Sequence, residues 1–161
     1  MRNLALSTIL ALGAALLFGA LAFAIDLSQQ TPIEIRINMG KEGTNDHKYF
    51  PDKLTLETGK LYKLVLHNPS NSPHYFFSHE LGAKVWTRKA QVMDEVGPTR
   101  KAIAEIKGVI REIEVYPGGT AEWWFVPVSA GTVTDIICTI KDAKENKTHA
   151  ELGMRGTAVI N

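Results

Sequence analysis

The sequence has one cysteine, Cys138, among its 161 residues, so no disulfide can form within the chain. It contains neither a Gly-rich phosphate-binding loop nor a Gly-x-Ser-x-Gly motif, which are typical of nucleotide-binding proteins and of serine hydrolases. Charge is nearly balanced, with 18 basic and 17 acidic residues, so the net charge gives no indication of nucleic-acid binding. The sequence therefore gives no indication of a nucleotide-binding protein, a serine hydrolase or a nucleic-acid-binding protein.

The first 24 residues differ from the rest of the chain. Arg2 is followed by an apolar stretch, Leu4 to Phe23, that is rich in Leu and Ala. Ala22-Phe23-Ala24 has the small-x-small pattern of a cleavage site, which favours a signal peptide over residues 1–24. The alternative is a membrane anchor, because about 20 apolar residues can just span a bilayer. Residues 25–161 are then one exported domain, predicted to lie in the periplasm, or in a thylakoid lumen if the organism is photosynthetic.

Several short segments alternate between apolar and polar residues, the pattern of a half-buried strand. Thr31 to Met39 and Leu61 to His67 alternate in this way. Val109 to Val115 and Thr120 to Pro127 flank a turn and read as a hairpin. A short helix is predicted over Thr99 to Ile106. Many short strands with a single helical excursion predict an all-β sandwich.

The end of the chain carries three side chains with soft or borderline donor atoms: Cys138, His149 and Met154. Copper prefers thiolate, imidazole and thioether ligands, and a trigonal electron-transfer site uses two histidines, a cysteine and a weak axial methionine. His74 is the best candidate for the second histidine, because it directly follows the turn-rich segment 68–73 and opens a strand. Metal ligation would also explain a lone cysteine in an oxidising compartment, since coordination holds it as a thiolate.

The other three histidines have simpler interpretations. His67 lies on a predicted strand, so it is expected to pack or to form a hydrogen bond. His47 and His79 are expected to lie on the surface. None of the three is predicted to bind the metal.

At these residues the chain resembles the cupredoxin family. The resemblance rests on Ser72-Pro73-His74, on the segment 131–140 around Cys138 and on the segment 149–160, and it covers roughly residues 32–161. It implies a Greek-key β-sandwich that binds one type 1 copper ion. The ligands it implies are His74, Cys138, His149 and Met154.

Two features depart from the family pattern. Ten residues separate Cys138 from His149, where the family has a much shorter segment, so residues 141–148 read as an insertion. Tyr75 stands where relatives often carry an Asn that orients the ligand loop. The resemblance implies that electrons pass through an exposed edge of His149. The insertion would then lie beside that exit and is predicted to help dock a redox partner.

The predicted function is transfer of one electron, as Cu(II)/Cu(I), between exported redox proteins. Two alternatives remain: a copper-binding or delivery protein of the same fold, and a metal-free interaction sandwich. An enzyme is not predicted. The chain has five histidines with no His-x-His pair and a single cysteine, too few donors for a second or a binuclear copper centre.

Overall fold

The computed structural model describes residues 26–94 and 101–161. The predicted signal peptide or anchor over residues 1–24 lies outside the described residues. Within the described ranges, no helix is both long enough and apolar enough to cross a membrane. Among the described residues, eleven strands and one short α-helix follow a 3-10 turn at Leu27–Gln29. In chain order these are β1 Ile33–Met39, β2 Tyr49–Phe50, β3 Lys53–Leu56, β4 Tyr62–His67, β5 His74–Phe77, α1 His79–Lys84, β6 Val85–Asp94, β7 Lys101–Ile106, β8 Glu112–Val115, β9 Thr120–Pro127, β10 Gly131–Ile137 and β11 Arg155–Ile160.

The strands form two sheets, which confirms the predicted all-β sandwich. One sheet has the order β2-β1-β4-β9-β6-β7, and the other has the order β3-β11-β10-β5-β8. Pairing is mostly antiparallel, with the exceptions of β1 beside β4 and β3 beside β11. Each sheet therefore joins strands from distant parts of the sequence, which brings the middle of the chain next to its end.

The core lies between the sheets, where alternate residues of strands such as β3 and β11 point inward. In β11, Gly156, Ala158 and Ile160 are buried and their neighbours are exposed. Trp123 and Phe125 of β9 fill the centre and contact each other, with ring centroids 4.7 Å apart. Burying one such phenyl side chain contributes roughly 1.5–3 kcal/mol. Trp123 and Phe125 are thus core residues.

The short helix lies elsewhere than predicted. Residues 101–106 form strand β7, which pairs with β6, so the prediction of a helix over Thr99 to Ile106 is wrong where the structure describes it. Helix α1 comes earlier, and the Ser78 side chain caps it by accepting a hydrogen bond from the Leu81 amide at 2.9 Å. Ala, Glu and Lys have high helix propensities, but intrinsic propensity is a small effect, and pairing with a neighbouring strand overrides it here.

Candidate metal centre

Three of the four predicted donors lie at strand ends of the five-stranded sheet, and the fourth lies in a loop between two of its strands. His74 is the first residue of β5, and Cys138 directly follows β10, which pairs with β5 through Ile137 and Phe77. Met154 directly precedes β11. His149 belongs to the loop that joins β10 to β11. All four side chains are buried, and His149 is only 2% exposed.

Three of the donor atoms surround a common point. Nδ1 of His74 lies 3.1 Å from Nδ1 of His149. Sγ of Cys138 lies 3.3 Å from Nδ1 of His149 and 4.0 Å from Nδ1 of His74. A point equidistant from the three atoms lies about 2 Å from each, close to the metal–nitrogen and metal–sulfur bond lengths of about 2.0–2.3 Å in protein sites. The donor set therefore fits a small transition-metal ion, and its chemistry fits copper.

Met154 is tied to the same cluster through its backbone. Its amide donates to the His149 carbonyl at 2.8 Å, and its carbonyl accepts from the Cys138 amide at 3.3 Å. Its side chain is fully buried in the same core cluster as Cys138. Its role as an axial ligand stays a prediction.

The insertion between Cys138 and His149 closes on itself. An isolated antiparallel bridge pairs Lys141 with Thr148, and within it the Asp142 amide donates to the Lys147 carbonyl at 2.8 Å. The His149 amide then donates to the Ile140 carbonyl at 2.7 Å. Because the bridge holds the first and last residues of the insertion together, His149 lies beside Ile140 as it would in a short loop. The additional length does not pull the donors apart.

A hydrogen-bond chain sets the orientation of His74. Ser70 Oγ lies 2.9 Å from Nε2 of His74 and 2.7 Å from Oδ1 of Asn68. The amide nitrogen of Asn68 donates to the carbonyls of Ser72 and Val115, so its oxygen faces Ser70. Ser70 has one hydroxyl hydrogen, which it donates to Oδ1 of Asn68. The hydroxyl must therefore accept a hydrogen bond from Nε2–H of His74. Nδ1 of His74 is therefore the bare nitrogen, the form that binds a metal.

Burial keeps the donors in their uncharged forms. Desolvation, followed by the neighbouring His149 and His47, lowers the pKa of His74 to about 3. Desolvation, followed by His47, lowers the pKa of His149 to about 4. Both rings are neutral at neutral pH, which is the state that coordinates a metal.

The Cys138 sulfur accepts two backbone hydrogen bonds. The Tyr75 amide donates to Sγ at 3.3 Å, and the Ile140 amide also hydrogen-bonds the sulfur. Burial raises the pKa of the thiol, while these two amides act in the opposite direction. Amide donors at the sulfur tune the potential of a copper–thiolate site. Tyr75 thus contributes through its backbone, whichever side chain it carries.

The structure places a third histidine at the site, one that sequence reasoning left on the surface. His47, in the loop between β1 and β2, stacks on His149 with ring centroids 3.7 Å apart and ring planes at 25°. One ring nitrogen from each of His47, His74 and His149 lies within 4.8 Å of the others. The polar segment around His47 gives no local signal of this position, because only the folded arrangement of the loops creates it. By contrast, His67 bonds Thr120 at 2.9 Å and His79 is exposed, both as expected.

The expected exposed edge of His149 is absent. His149 is 2% exposed, because the His47 ring covers one of its faces and the loop 141–148 lies beside it. It does line one side of a surface cavity of ≈ 300 Å³, together with Ser72, Asp142 and Lys144. His149 thus borders the surface at this cavity rather than at an open patch.

The sequence matches no family model, and none of the curated proteins compared with it matches. Solved structures do match. A multicopper oxidase from Campylobacter jejuni aligns over 81% of this chain and 30% of its own, with 16% identity and a TM-score of 0.55. A multi-copper oxidase from Pediococcus acidilactici aligns over 99% of this chain and 30% of its own, with 16% identity and a TM-score of 0.53. An auracyanin from Roseiflexus castenholzii aligns over 82% of this chain and 99% of its own, with 18% identity and a TM-score of 0.47.

The chain spans about 30% of the length of the two oxidases it matches. At sequence identities this low, the two oxidase matches show the fold alone. Together with the two-sheet architecture, they confirm the predicted cupredoxin-like β-sandwich. The site at its strand ends is a buried cluster of imidazole, thiol and thioether groups.

Proposed function

We propose that the protein is a mononuclear type 1 copper protein that transfers one electron at a time between exported redox partners. The observation that carries the proposal is the arrangement of Nδ1 of His74, Nδ1 of His149 and Sγ of Cys138, which lie 3.1–4.0 Å apart in a buried site. The multicopper oxidases that share the fold support copper as the metal. When bound, copper supplies the Cu(II)/Cu(I) couple.

The chain's own residues would hold the site rigid and dry. Ser70 and Asn68 hold His74 with Nδ1 bare, and backbone hydrogen bonds tie Cys138, His149 and Met154 to one another. Such outer contacts orient ligands and exclude water, which controls the potential. Ligands that barely move between oxidation states favour rapid electron transfer. Met154 would be the weak axial donor.

Copper loading followed by visible spectroscopy and redox titration tests this function. We expect one copper ion per chain, an intense thiolate-to-Cu(II) absorption and reversible bleaching on reduction. Cys138→Ser should abolish the band, whereas Met93→Leu, at a methionine on β6, should not change it. If the loaded wild-type protein contains no stoichiometric metal, and Cys138→Ser changes nothing, a metal-free interaction domain is the better description.

One observation favours copper delivery as the second candidate. The cavity of ≈ 300 Å³ that His149 lines places one of the proposed ligands next to solvent. A delivery protein would hold colourless Cu(I) and give it up to a competing chelator. An electron carrier would keep its copper under the same conditions and show the charge-transfer band once oxidised.

The same cavity is the proposed contact area for redox partners. Lys141, Asp142 and Lys144 of the insertion form part of its wall. Charged groups at the rim of an interface increase the rate at which two proteins associate more than they increase the affinity of the complex. We infer that the partners are exported redox proteins, and that the chain works in the periplasm or in a thylakoid lumen. We do not propose an oxidase activity, because five histidines without a His-x-His pair cannot supply further copper centres.

A further inference from the structure

The Nδ1 atom of His47 is buried and has no hydrogen-bond partner among the described residues. Buried polar atoms are nearly always paired, with protein, with ordered water or with an ion, so each exception needs an explanation. This one lies within a cluster of metal-binding side chains. The expected explanation is a ligand that belongs to the cluster.

The other nitrogen of the same ring faces a carboxylate. Nε2 of His47 lies 3.5 Å from Oδ2 of Asp142, the second residue of the insertion. A carboxylate only accepts hydrogen bonds, so in the neutral ring Nε2 carries the hydrogen and Nδ1 is bare. A histidine held through one nitrogen by a carboxylate, with its other nitrogen free, is the usual arrangement of a metal ligand. His74 has the same arrangement, with Ser70 in the place of Asp142.

Asp142 is well placed for this role. Its Oδ1 atom accepts hydrogen bonds from the backbone amides of Lys144 and Glu145, both at 2.8 Å. These bonds leave Oδ2 directed at His47. The insertion therefore does more than lengthen the loop, because its first turn positions a carboxylate against the additional histidine.

We propose that His47 is a further copper ligand of this site, binding through Nδ1, and that Asp142 is the residue that orients it. The proposal rests on the proposed copper function. It gives the ion three imidazoles and a thiolate instead of two imidazoles and a thiolate.

Coordination requires a modest movement of one side chain. The lone pair of Nδ1 lies in the plane of the ring, and that ring is now stacked on His149 with a 25° tilt. His47 must turn so that its lone pair faces the ion. The side chain is 11% exposed and its contact with Asp142 is long at 3.5 Å, so no tightly packed core residue has to move with it.

A third imidazole changes the properties of the metal. Trigonal sites with a weak axial methionine are the blue-copper arrangement, whereas additional nitrogen ligands favour the tetragonal geometry of Cu(II). The wild-type protein should therefore have a weaker or shifted thiolate band and a lower reduction potential than a variant without the third imidazole. Removing the imidazole should produce the more conventional blue site.

The test counts coordinated imidazoles in the full copper-loaded chain. Pulsed electron paramagnetic resonance with isotopically labelled histidine is applied to the wild type, His47→Phe and Asp142→Asn. His79→Phe is the matched control, because His79 is exposed and makes an edge-to-face contact with Phe77 outside the site. We expect three coordinated imidazoles in the wild type and in His79→Phe, and two in His47→Phe, with a raised potential. In Asp142→Asn we expect the resonance signal of the third coordinated imidazole to be weaker or broader than in the wild type.

The outcomes separate this inference from the function on which it rests. Two coordinated imidazoles in the wild type, with normal copper binding, overturn the role of His47 and leave the copper site intact. A wild-type chain that binds no copper overturns both. The count in the wild type alone decides the matter if His47→Phe does not fold.

Discussion

Replacing Ser70 with alanine removes the hydroxyl group that holds His74, while the Cβ atom and its packing remain. The hydroxyl lies 2.9 Å from Nε2 of His74 and 2.7 Å from Oδ1 of Asn68, and all three side chains are buried. Without it, Nε2–H of His74 loses its acceptor. A buried donor left without a partner costs about 1–3 kcal/mol, so we expect the metal-free protein to lose stability in this range.

Copper affinity should fall as well, because the ring is no longer held with Nδ1 directed into the site. Loss of an outer partner of a metal ligand typically reduces metal affinity by about 10–100-fold, which corresponds to about 1.4–2.7 kcal/mol. Competition with a chelator of known affinity measures this change, and urea unfolding of the copper-free protein measures the stability. The two losses should be similar in size, since both arise from the same missing hydrogen bond.

Ser72→Ala is the matched control for Ser70→Ala. Its hydroxyl donates to Oδ1 of Asn45 at 3.2 Å on the exposed side of the same turn. Exposed substitutions of this kind usually change stability by less than about 0.5 kcal/mol. If Ser70→Ala weakens copper binding no more than Ser72→Ala does, the hydroxyl does not hold His74 and the account of the site given above is wrong.

Four further changes test the core and the site. Trp123→Ala, at a fully buried residue of β9, should cost about 3–5 kcal/mol in urea unfolding; a cost below 1 kcal/mol would contradict its place in the core. Gly82→Ala should destabilise the protein by about 1–3 kcal/mol, because its Cβ atom would lie 2.6 Å from the Ile110 carbonyl oxygen. Removing copper with a chelator should lower the melting temperature, since a ligand at 1,000 times its Kd stabilises the folded state by about 4 kcal/mol. Cys138→Ser should reduce that difference; an equal shift in this variant would mean that the metal binds elsewhere.

The parts of the site that could be predicted from the sequence are those attached to regular strands. His74 opens a predicted strand directly after a turn, and the donor chemistry of Cys138 and His74 is unusual enough to be noticed without a structure. His47 could not be found in this way. It lies in a polar loop that follows β1, and β1 is held by pairing with β4 between residues 29 apart in the sequence. A residue in such a loop carries no periodic signal.

Asn68 and Ser70, which orient His74, could not be predicted from the sequence for a related reason. Asn68 and Ser70 belong to a segment rich in Asn, Pro and Ser that reads as a turn, which it is. A turn signal reports the local backbone and says nothing about which side chain is buried beneath it. The strand β7 was missed because its fully exposed residues, from Lys101 to Ile106, show no burial pattern, and its pairing with β6 is a tertiary effect.

The self-closing insertion leads to a last prediction. If the bridge between Lys141 and Thr148 holds the two ends of the insertion together, residues 142–147 can be replaced by a two-residue Asn-Gly turn, which suits a tight hairpin. Shortening the loop should stabilise the fold by about half a kcal/mol through loop closure. The bond from the His149 amide to the Ile140 carbonyl should remain, and with it the donor positions.

The shortened loop also loses Asp142, so its effect on copper is best measured in the His47→Phe background. There the third imidazole is already gone, and we expect the absorption spectrum and copper stoichiometry to match those of His47→Phe alone. Loss of copper would show that the insertion is needed to bring Cys138 and His149 together. An unchanged spectrum would mean that the ligand loop tolerates added length because its two ends are paired.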